Sequence, residues 1–168
     1  MQKGILENRK VIAKYDDLAL VTTKEEDIKI LSKYFADFDL MRYTFGKTFS
    51  QDEAISYIKK NFNFDGKLKF SPIDYKDKII GFGGIFKFDY KSYELGYIIA
   101  KEHWGRGFAT KIALAQIEFI QSHFKTRVVA TTHPKNIVSQ KILQKCGLRY
   151  KKDIFLEYRG KRKLFVLD

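Results

Sequence analysis

The sequence predicts a mixed α/β (α+β) fold: a central, mostly antiparallel sheet flanked by helices. Three features carry this. Two capping boxes open helical runs in the first half, period-two segments bounded by turn residues follow Gly66, and a strand, helix, strand, helix order fills the second half. With 168 residues, 45% of them apolar, the chain suits a single domain over 1–168, because chains near 150 residues bury about two thirds of the surface they expose unfolded. One cysteine, Cys146, excludes an intramolecular disulfide and a clustered-thiol metal site and fits a reducing compartment. Met1 to Lys10 has no apolar stretch of signal-peptide length, and no run of about 18 apolar residues occurs. The expectation is a cytoplasmic, soluble protein without a membrane partner.

Taken in order, Leu18 to Thr22 reads as a short strand. Thr23-Lys-Glu-Glu26 is a capping box before Ile28, Leu31 and Phe35, and Ser50-Gln-Asp-Glu53 is another before Ala54, Ile55, Ile58 and Phe62. Asp37 to Phe49, between these helices, reads as a long aromatic-rich loop of the kind that often binds ligands. Lys67 to Tyr75, Lys78 to Phe88 and Ser92 to Ala100 form an antiparallel meander, in which the Phe82, Phe86 and Phe88 stripe is a sheet face. A helix opens at Gly107 with Ala109, Ile112, Ala113, Ile117, Ile120 and Phe124 near one face. Arg127 to Thr132 is a strongly apolar strand. The helix from Asn136 turns Val138, Ile142, Leu143 and Cys146 inward and stops at Gly147, a C′ glycine. Ile154 to Tyr158 and Lys163 to Leu167 close the chain as a hairpin around Arg159-Gly-Lys.

The chemistry concentrates in Glu94 to Thr110, a strand that runs through a Gly-rich turn into a helix. Gly105, Gly107 and the small Ala109 let backbone N–H groups approach an anion at a helix N-terminus, where the dipole also favours negative charge. This is a phosphate cradle. It lacks the Gly-Lys-Ser/Thr ending of a P-loop, and Thr110 stands at the last glycine position of the dinucleotide fingerprint.

Trp104-Gly-Arg-Gly107-Phe-Ala109 resembles the Gln/Arg-x-x-Gly-x-Gly/Ala signature of the GNAT superfamily of acetyl-CoA-dependent N-acetyltransferases. Trp at the first position is similar to the RimJ/RimL-type branch. Asn136-Ile-Val-Ser139 with Leu143, Gly147 and Tyr150 resembles that branch's Asn-x-x-Ser-x-x-x-Leu-x-x-x-Gly-Phe run, Leu148 replacing Phe. The resemblance covers about residues 16 to 168; residues 1–15 lie outside it as an N-terminal extension that is a candidate edge strand.

The resemblance implies the GNAT acyl-CoA N-acyltransferase fold and direct acetyl transfer from acetyl-CoA to a primary amine. It puts the CoA pyrophosphate on Trp104, Gly105, Arg106, Gly107, Phe108, Ala109 and Thr110. It puts the pantetheine arm beside Ile98, Ile99 and Ala100, with the Ile99 N–H as oxyanion donor, and against Asn136 and Ser139. Glu94 is the candidate base, and Ser139 the candidate acid, because Leu143 stands where many GNAT enzymes have tyrosine. Simpler readings stand beside these: Glu94 as a non-catalytic strand residue, Ser139 as a surface or packing residue, Trp104 and Tyr97 as packing residues, Arg106 as a solvated side chain, Asn136 as a helix cap, and Cys146 as core. No spacing suggests a metal.

The acceptor implied is a protein N-terminus, for instance a ribosomal one, or a small-molecule amine. The excess of 32 Lys+Arg over 20 Asp+Glu, +12 net, favours anionic partners without choosing among them. The alternative is a non-catalytic CoA-binding or basic ribosome- or RNA-associated module on the same fold. Nothing resembles an RNA-recognition signature, so direct nucleic-acid binding is not expected. Oligomeric state stays open, a homodimer included.

Overall fold

The computed structural model describes residues 9–168. Eight strands form one sheet in the order β1-β2-β3-β4-β5-β6-β8-β7, and only the β5–β6 pair is parallel. The first four are β1 (Val11–Tyr15), β2 (Leu18–Val21), β3 (Phe70–Tyr75) and β4 (Lys78–Asp89). The others are β5 (Ser92–Ile99), β6 (Arg127–Thr132), β7 (Arg149–Leu156) and β8 (Gly160–Leu167). Edge strand β1 falls within the N-terminal extension; the part of that extension over 1–8 lies outside the described residues.

Helices cover both faces of the sheet. One face carries α1 (Ile28–Phe35), α2 (Phe38–Met41) and α3 (Gln51–Asn61), and the other carries α4 (Phe108–Phe124) and α5 (Ile137–Lys145). Two apolar clusters result. Ile80, Leu95, Ile99, Ile112, Ile120 and Phe165 belong to the core beneath α4 and α5. The second core forms around Phe35, whose ring lies 5.0–6.1 Å from those of Phe45, Phe49, Tyr57, Phe62 and Phe82. Burying a ring as completely as Phe35 contributes about 2–3 kcal/mol.

Local rules explain most helix ends, with three departures. The Ser50 hydroxyl accepts the Glu53 N–H, and Asn136 accepts the Ser139 N–H, both as N-caps. At the end of α5 the Leu148 N–H reaches the Leu143 carbonyl, a Schellman closure around Gly147. The Thr23 box does not form. Asp27 instead accepts the Lys24 N–H and grips Arg9 through two buried hydrogen bonds of 2.6 and 2.7 Å, so ion pairing decides which carboxylate caps. The expected loop from Asp37 to Phe49 contains the short helix α2, and its Phe45 and Phe49 fill the second core. Val138, expected inward, is 70% exposed, because the α5 face that packs is the one carrying Ile142, Leu143 and Cys146.

Candidate active site

The sheet opens where β5 meets β6. Their parallel pairing lasts three residues, Ser92–Glu94 against Arg127–Val129. Beyond it β5 runs on to Ile99, while β6 stays with β8 through Thr132. The wedge between them is a cleft of about 640 Å³ whose walls include Gly96, Tyr97, Ile98, Ala130, Thr131 and Ser139. Alternate residues of a strand face opposite sides, so Leu95, Tyr97 and Ile99 face α4 and α5, whereas Glu94 and Ile98 face the aromatic core. The cleft therefore joins both faces of the sheet.

Backbone direction along β5 is fixed at its end. The Ala100 N–H donates to the Ile80 carbonyl on β4, and alternation then turns the N–H and carbonyl of Ile99 to the opposite edge, into the wedge. The Ile99 carbonyl receives the Trp104 indole N–H at 2.7 Å, which pins the turn to the strand while the indole stays half exposed. Its N–H lies on that same edge of the strand. The backbone polar groups of Ile98 and Ala100 point the other way, toward β4, so only Ile99 of this trio offers the wedge a backbone donor.

After Trp104 the chain reverses through Gly105 and Gly107, at φ 75° and 79°, left-handed conformations that cost other residues about 1–2 kcal/mol. Gly107 caps α4 without a side-chain hydrogen bond, and the first turn holds no acidic residue. The Lys111 N–H makes the first helical bond, to the Gly107 carbonyl, so the N–H groups of Phe108, Ala109 and Thr110 precede it and point out of the helix end. Phe108 buries its ring in the core. The Arg106 guanidinium lies 4.6 Å from the Phe108 ring centroid and 5.6 Å from that of Tyr75, at the exposed lip of the turn. Open N–H groups, an uncompensated dipole and a cation suit a diphosphate.

Across the wedge, α5 brings Ser139 to Tyr97, hydroxyl to hydroxyl at 3.2 Å. Burial pushes the Tyr97 phenol well above its ordinary value, so it stays a proton donor at neutral pH. Tyr97 packs against the core beneath α4 and α5, as its place on β5 predicts, and its hydroxyl reaches Ser139 as well. Asn136 spends its side-chain oxygen on the helix cap.

On the opposite face, Glu94 is buried and fully engaged. Its carboxylate accepts two hydrogen bonds from Arg159, at 2.9 and 3.1 Å, and one from the Thr131 hydroxyl at 2.8 Å. Held so, about three of its four lone-pair positions are taken and both oxygens face Arg159, and Glu94 alone is an incomplete description of this wall. Arg159 comes from the β7–β8 turn, 65 positions away, with no local spacing to announce the pair. Behind it Arg162, 5% exposed, donates to the carbonyls of Arg159, Tyr43 and Thr44, tying the closing hairpin to the segment before α3. Burial, then Arg159, pulls the Arg162 guanidinium below its ordinary value, opposed by Glu94. Phe70, Phe86, Phe88 and Tyr158 complete the rim. Among the described residues no group of three His, Cys, Asp or Glu could hold a metal, and no helix is long and apolar enough to cross a membrane.

A splayed parallel pair beside a diphosphate cradle defines an acyl-CoA-dependent transferase. Residues 17–149 match the model of the acetyltransferase (GNAT) domain family. The chain belongs to the GNAT acetyltransferases and is an acetyl-CoA-dependent N-acetyltransferase. It is 27% identical over 128 residues to the uncharacterized N-acetyltransferase YnaD of Bacillus subtilis, covering 74% of each chain. Among solved structures it is similar to spermidine N-acetyltransferase from Vibrio cholerae in complex with CoA and spermine, at TM-score 0.75 and 18% identity, covering 90% of this chain and 95% of that one. It is also similar to the ribosomal-protein α-N-acetyltransferase RimL, at TM-score 0.79 and 15% identity, covering 95% and 94%. These two likenesses show the fold alone.

Proposed function

We propose that the protein is a RimJ/RimL-type enzyme that acetylates a primary amine held on the Glu94 face of the wedge. The observation that carries this reading is the opening itself: the Ile99 N–H lies on its edge in the plane of the sheet, the Tyr97–Ser139 hydroxyls reach it from one face, and the charged aromatic pocket meets it from the other. Acetyl-CoA supplies an activated acetyl group as its thioester. Its diphosphate rests on the N–H groups of Gly105 to Thr110 with Arg106 at the lip, and its arm runs along the Ile99 edge toward Ser139. Ile99 donates its N–H to the carbonyl oxygen as charge develops there. The amine nitrogen forms the new C–N bond, the C–S bond breaks, and the departing sulfur takes its proton from the Ser139–Tyr97 pair. Ser139 is the nearer donor and Tyr97 its reserve.

The amine must also shed a proton. At pH 7.5 an α-amine with a pKa about 7.8 is roughly one third neutral, whereas a lysine amine near 10.4 is roughly one thousandth neutral. Glu94 takes that proton once Arg159 has moved off its carboxylate. The two similar enzymes named above differ in acceptor, one a polyamine and the other a protein N-terminus, so the shared fold leaves the acceptor to the pocket, which here favours a small molecule over a polycation. A cytoplasmic setting provides the acetyl-CoA.

Thiol release from acetyl-CoA, with calorimetric CoA titration alongside, tests the reading across amino acids, N-terminal peptides, amino sugars, polyamines and aminoglycosides. Turnover with one amine class, lowered about tenfold or more in Ser139→Ala, Tyr97→Phe double variants that still bind CoA, supports it. Absence of CoA binding sinks it.

A further inference from the structure

The acceptor wall is built around an internal ion pair that a substrate can replace. Glu94 is the buried half, with a side chain 10% exposed; Arg159 is the accessible half, 39% exposed and carried on a hairpin turn. Around them the cleft holds three cations, Lys87, Arg159 and Arg162, and one carboxylate, Glu94. His133, also on the wall, adds no fixed charge at neutral pH: burial lowers its pKa, and Arg162 and Lys135 lower it further. Arg162 makes its hydrogen bonds to carbonyl oxygens, so the second guanidinium brings no balancing carboxylate. A polycationic acceptor would enter a positive pocket whose only carboxylate already has a partner. Five aromatic side chains, Tyr57, Phe70, Phe86, Phe88 and Tyr158, line the same cleft alongside small, polar and aliphatic residues.

Resting on the N-acetyltransferase reading, we infer that the acceptor is a free α-amino acid with an aromatic side chain. Its zwitterionic head exchanges with the Glu94–Arg159 pair. The substrate carboxylate takes the two-pronged guanidinium of Arg159, a geometry that planar fork favours. Its ammonium then takes the place Arg159 leaves on Glu94. Exchange keeps every charge paired around the buried Glu94 carboxylate, where an unpaired charge would be costly. It also frees the Glu94 carboxylate at the moment an amine arrives beside it. One ammonium proton passes to Glu94, the neutral nitrogen bonds to the acetyl carbon, and the aromatic side chain lies among the rings.

The test compares kcat/KM, by thiol release, for phenylalanine, tyrosine and tryptophan against their carboxamides, phenethylamine, spermidine and an N-terminal tetrapeptide. The free acids should exceed their amides roughly tenfold to a hundredfold, the size of one charge-assisted hydrogen-bonded contact. Arg159→Gln should close that gap, lowering kcat/KM for the acid about tenfold or more relative to that for the amide, and Arg159→Lys should restore part of it. A structural role alone would shift both acceptors together. Acid and amide used equally, or turnover confined to spermidine or the peptide, overturns the inference while the transferase reading stands. CoA binding without turnover of any amino acid overturns it as well. Failure to bind CoA removes the underlying reading along with the inference. If the Arg159 variants do not fold, the acid-to-amide ratio of the wild type decides.

Discussion

Gly107→Ala separates the conformational role of the turn from its anion-binding role. Gly107 sits at φ 79°, ψ 8°, and a Cβ placed on it meets no atom within 4 Å. The cost to the free protein is therefore backbone strain alone, about 1–2 kcal/mol. In a chain of this size each kcal/mol lowers Tm by about 2–4 °C. Gly66 provides the control: φ is 82°, its surroundings are equally open, and it lies in the loop between α3 and β3. Gly66→Ala should lose a similar amount of stability. Only Gly107→Ala places a methyl in the turn that presents the Phe108, Ala109 and Thr110 N–H groups. Hydrogen bonds to a charged group contribute about 1.5–3 kcal/mol each, so disturbing one weakens CoA binding about tenfold or more. Paired thermal melts and calorimetric CoA titrations measure both quantities. Equal melting losses with unchanged CoA affinity in Gly107→Ala would refute the cradle.

Tyr97→Phe should lower kcat by about tenfold while the KM for acetyl-CoA stays within about threefold. This lies below the usual 10²–10⁴ range for acid catalysis, since a thiol with a pKa near 8.5 leaves with little help; an unchanged kcat in steady-state assays would confine Tyr97 to packing. Asp74 is 3% exposed, and its carboxyl is raised above its ordinary value by burial first, with Asp77 and Asp27 adding to the rise and the Asp77 amide and Arg9 opposing it. A raised carboxyl contributes stability that is complete below the unfolded value near 3.9 and is lost as pH rises through the folded value. Asp74→Asn should therefore melt higher than wild type at pH 7, with the difference fading toward pH 4, and an advantage independent of pH would contradict this. Cys146 is buried, its Sγ is 3.8 Å from the Thr110 carbonyl, and burial pushes its thiol up. Labelling by a disulfide reagent at pH 7.5 should be at least about tenfold slower than for free cysteine, and rapid labelling of the folded protein would show that the α5 end is open.

What the sequence made legible was local. The Ser50 and Asn136 caps, the Gly107 helix start and the Gly147 stop each depend on residues within four positions and form, although the Ser50–Glu53 box makes only its Ser50 half, the Glu53 carboxylate lying 3.7 Å from Lys47. The misplaced features depend on distant partners. The Thr23 box yields to Asp27 because Arg9, 18 positions away, fixes that carboxylate. Asp37 to Phe49, read as a binding loop, does put Tyr43, Thr44 and Phe45 on the cleft wall, while the unannounced part is that Phe35 and Phe82 draw Phe45 and Phe49 into the core. In the candidate site, the Gly-rich turn is legible because left-handed backbone restricts residue type locally, whereas Ser139 is legible only through the resemblance of the Asn136 run to the RimJ/RimL-type pattern. Arg159, Arg162 and Tyr97 carry no such mark. An arginine in a hairpin turn is chemically ordinary until β8 inserts between β6 and β7 and swings that turn over Glu94.

That insertion also explains how one strand can serve two chemistries. Alternate residues of β5 face opposite sides of the sheet, so Glu94 meets Arg159 on one face while Tyr97, three positions on, meets Ser139 on the other. The proposed proton acceptor and proton donors are thus kept apart by the thickness of the sheet, and the Ile99 N–H lies in its plane, within the wedge. Were Glu94 and Tyr97 on one face, the carboxylate and the phenol could hydrogen-bond to each other and leave neither for a substrate. A one-residue slip of β5 against β4 would send every side chain to the wrong face, and it would also turn the Ile99 N–H away from the opening. The register from Gly81↔Ile99 through Lys87↔Tyr93, unbroken over seven pairs, is therefore as much a part of the site as any side chain in it.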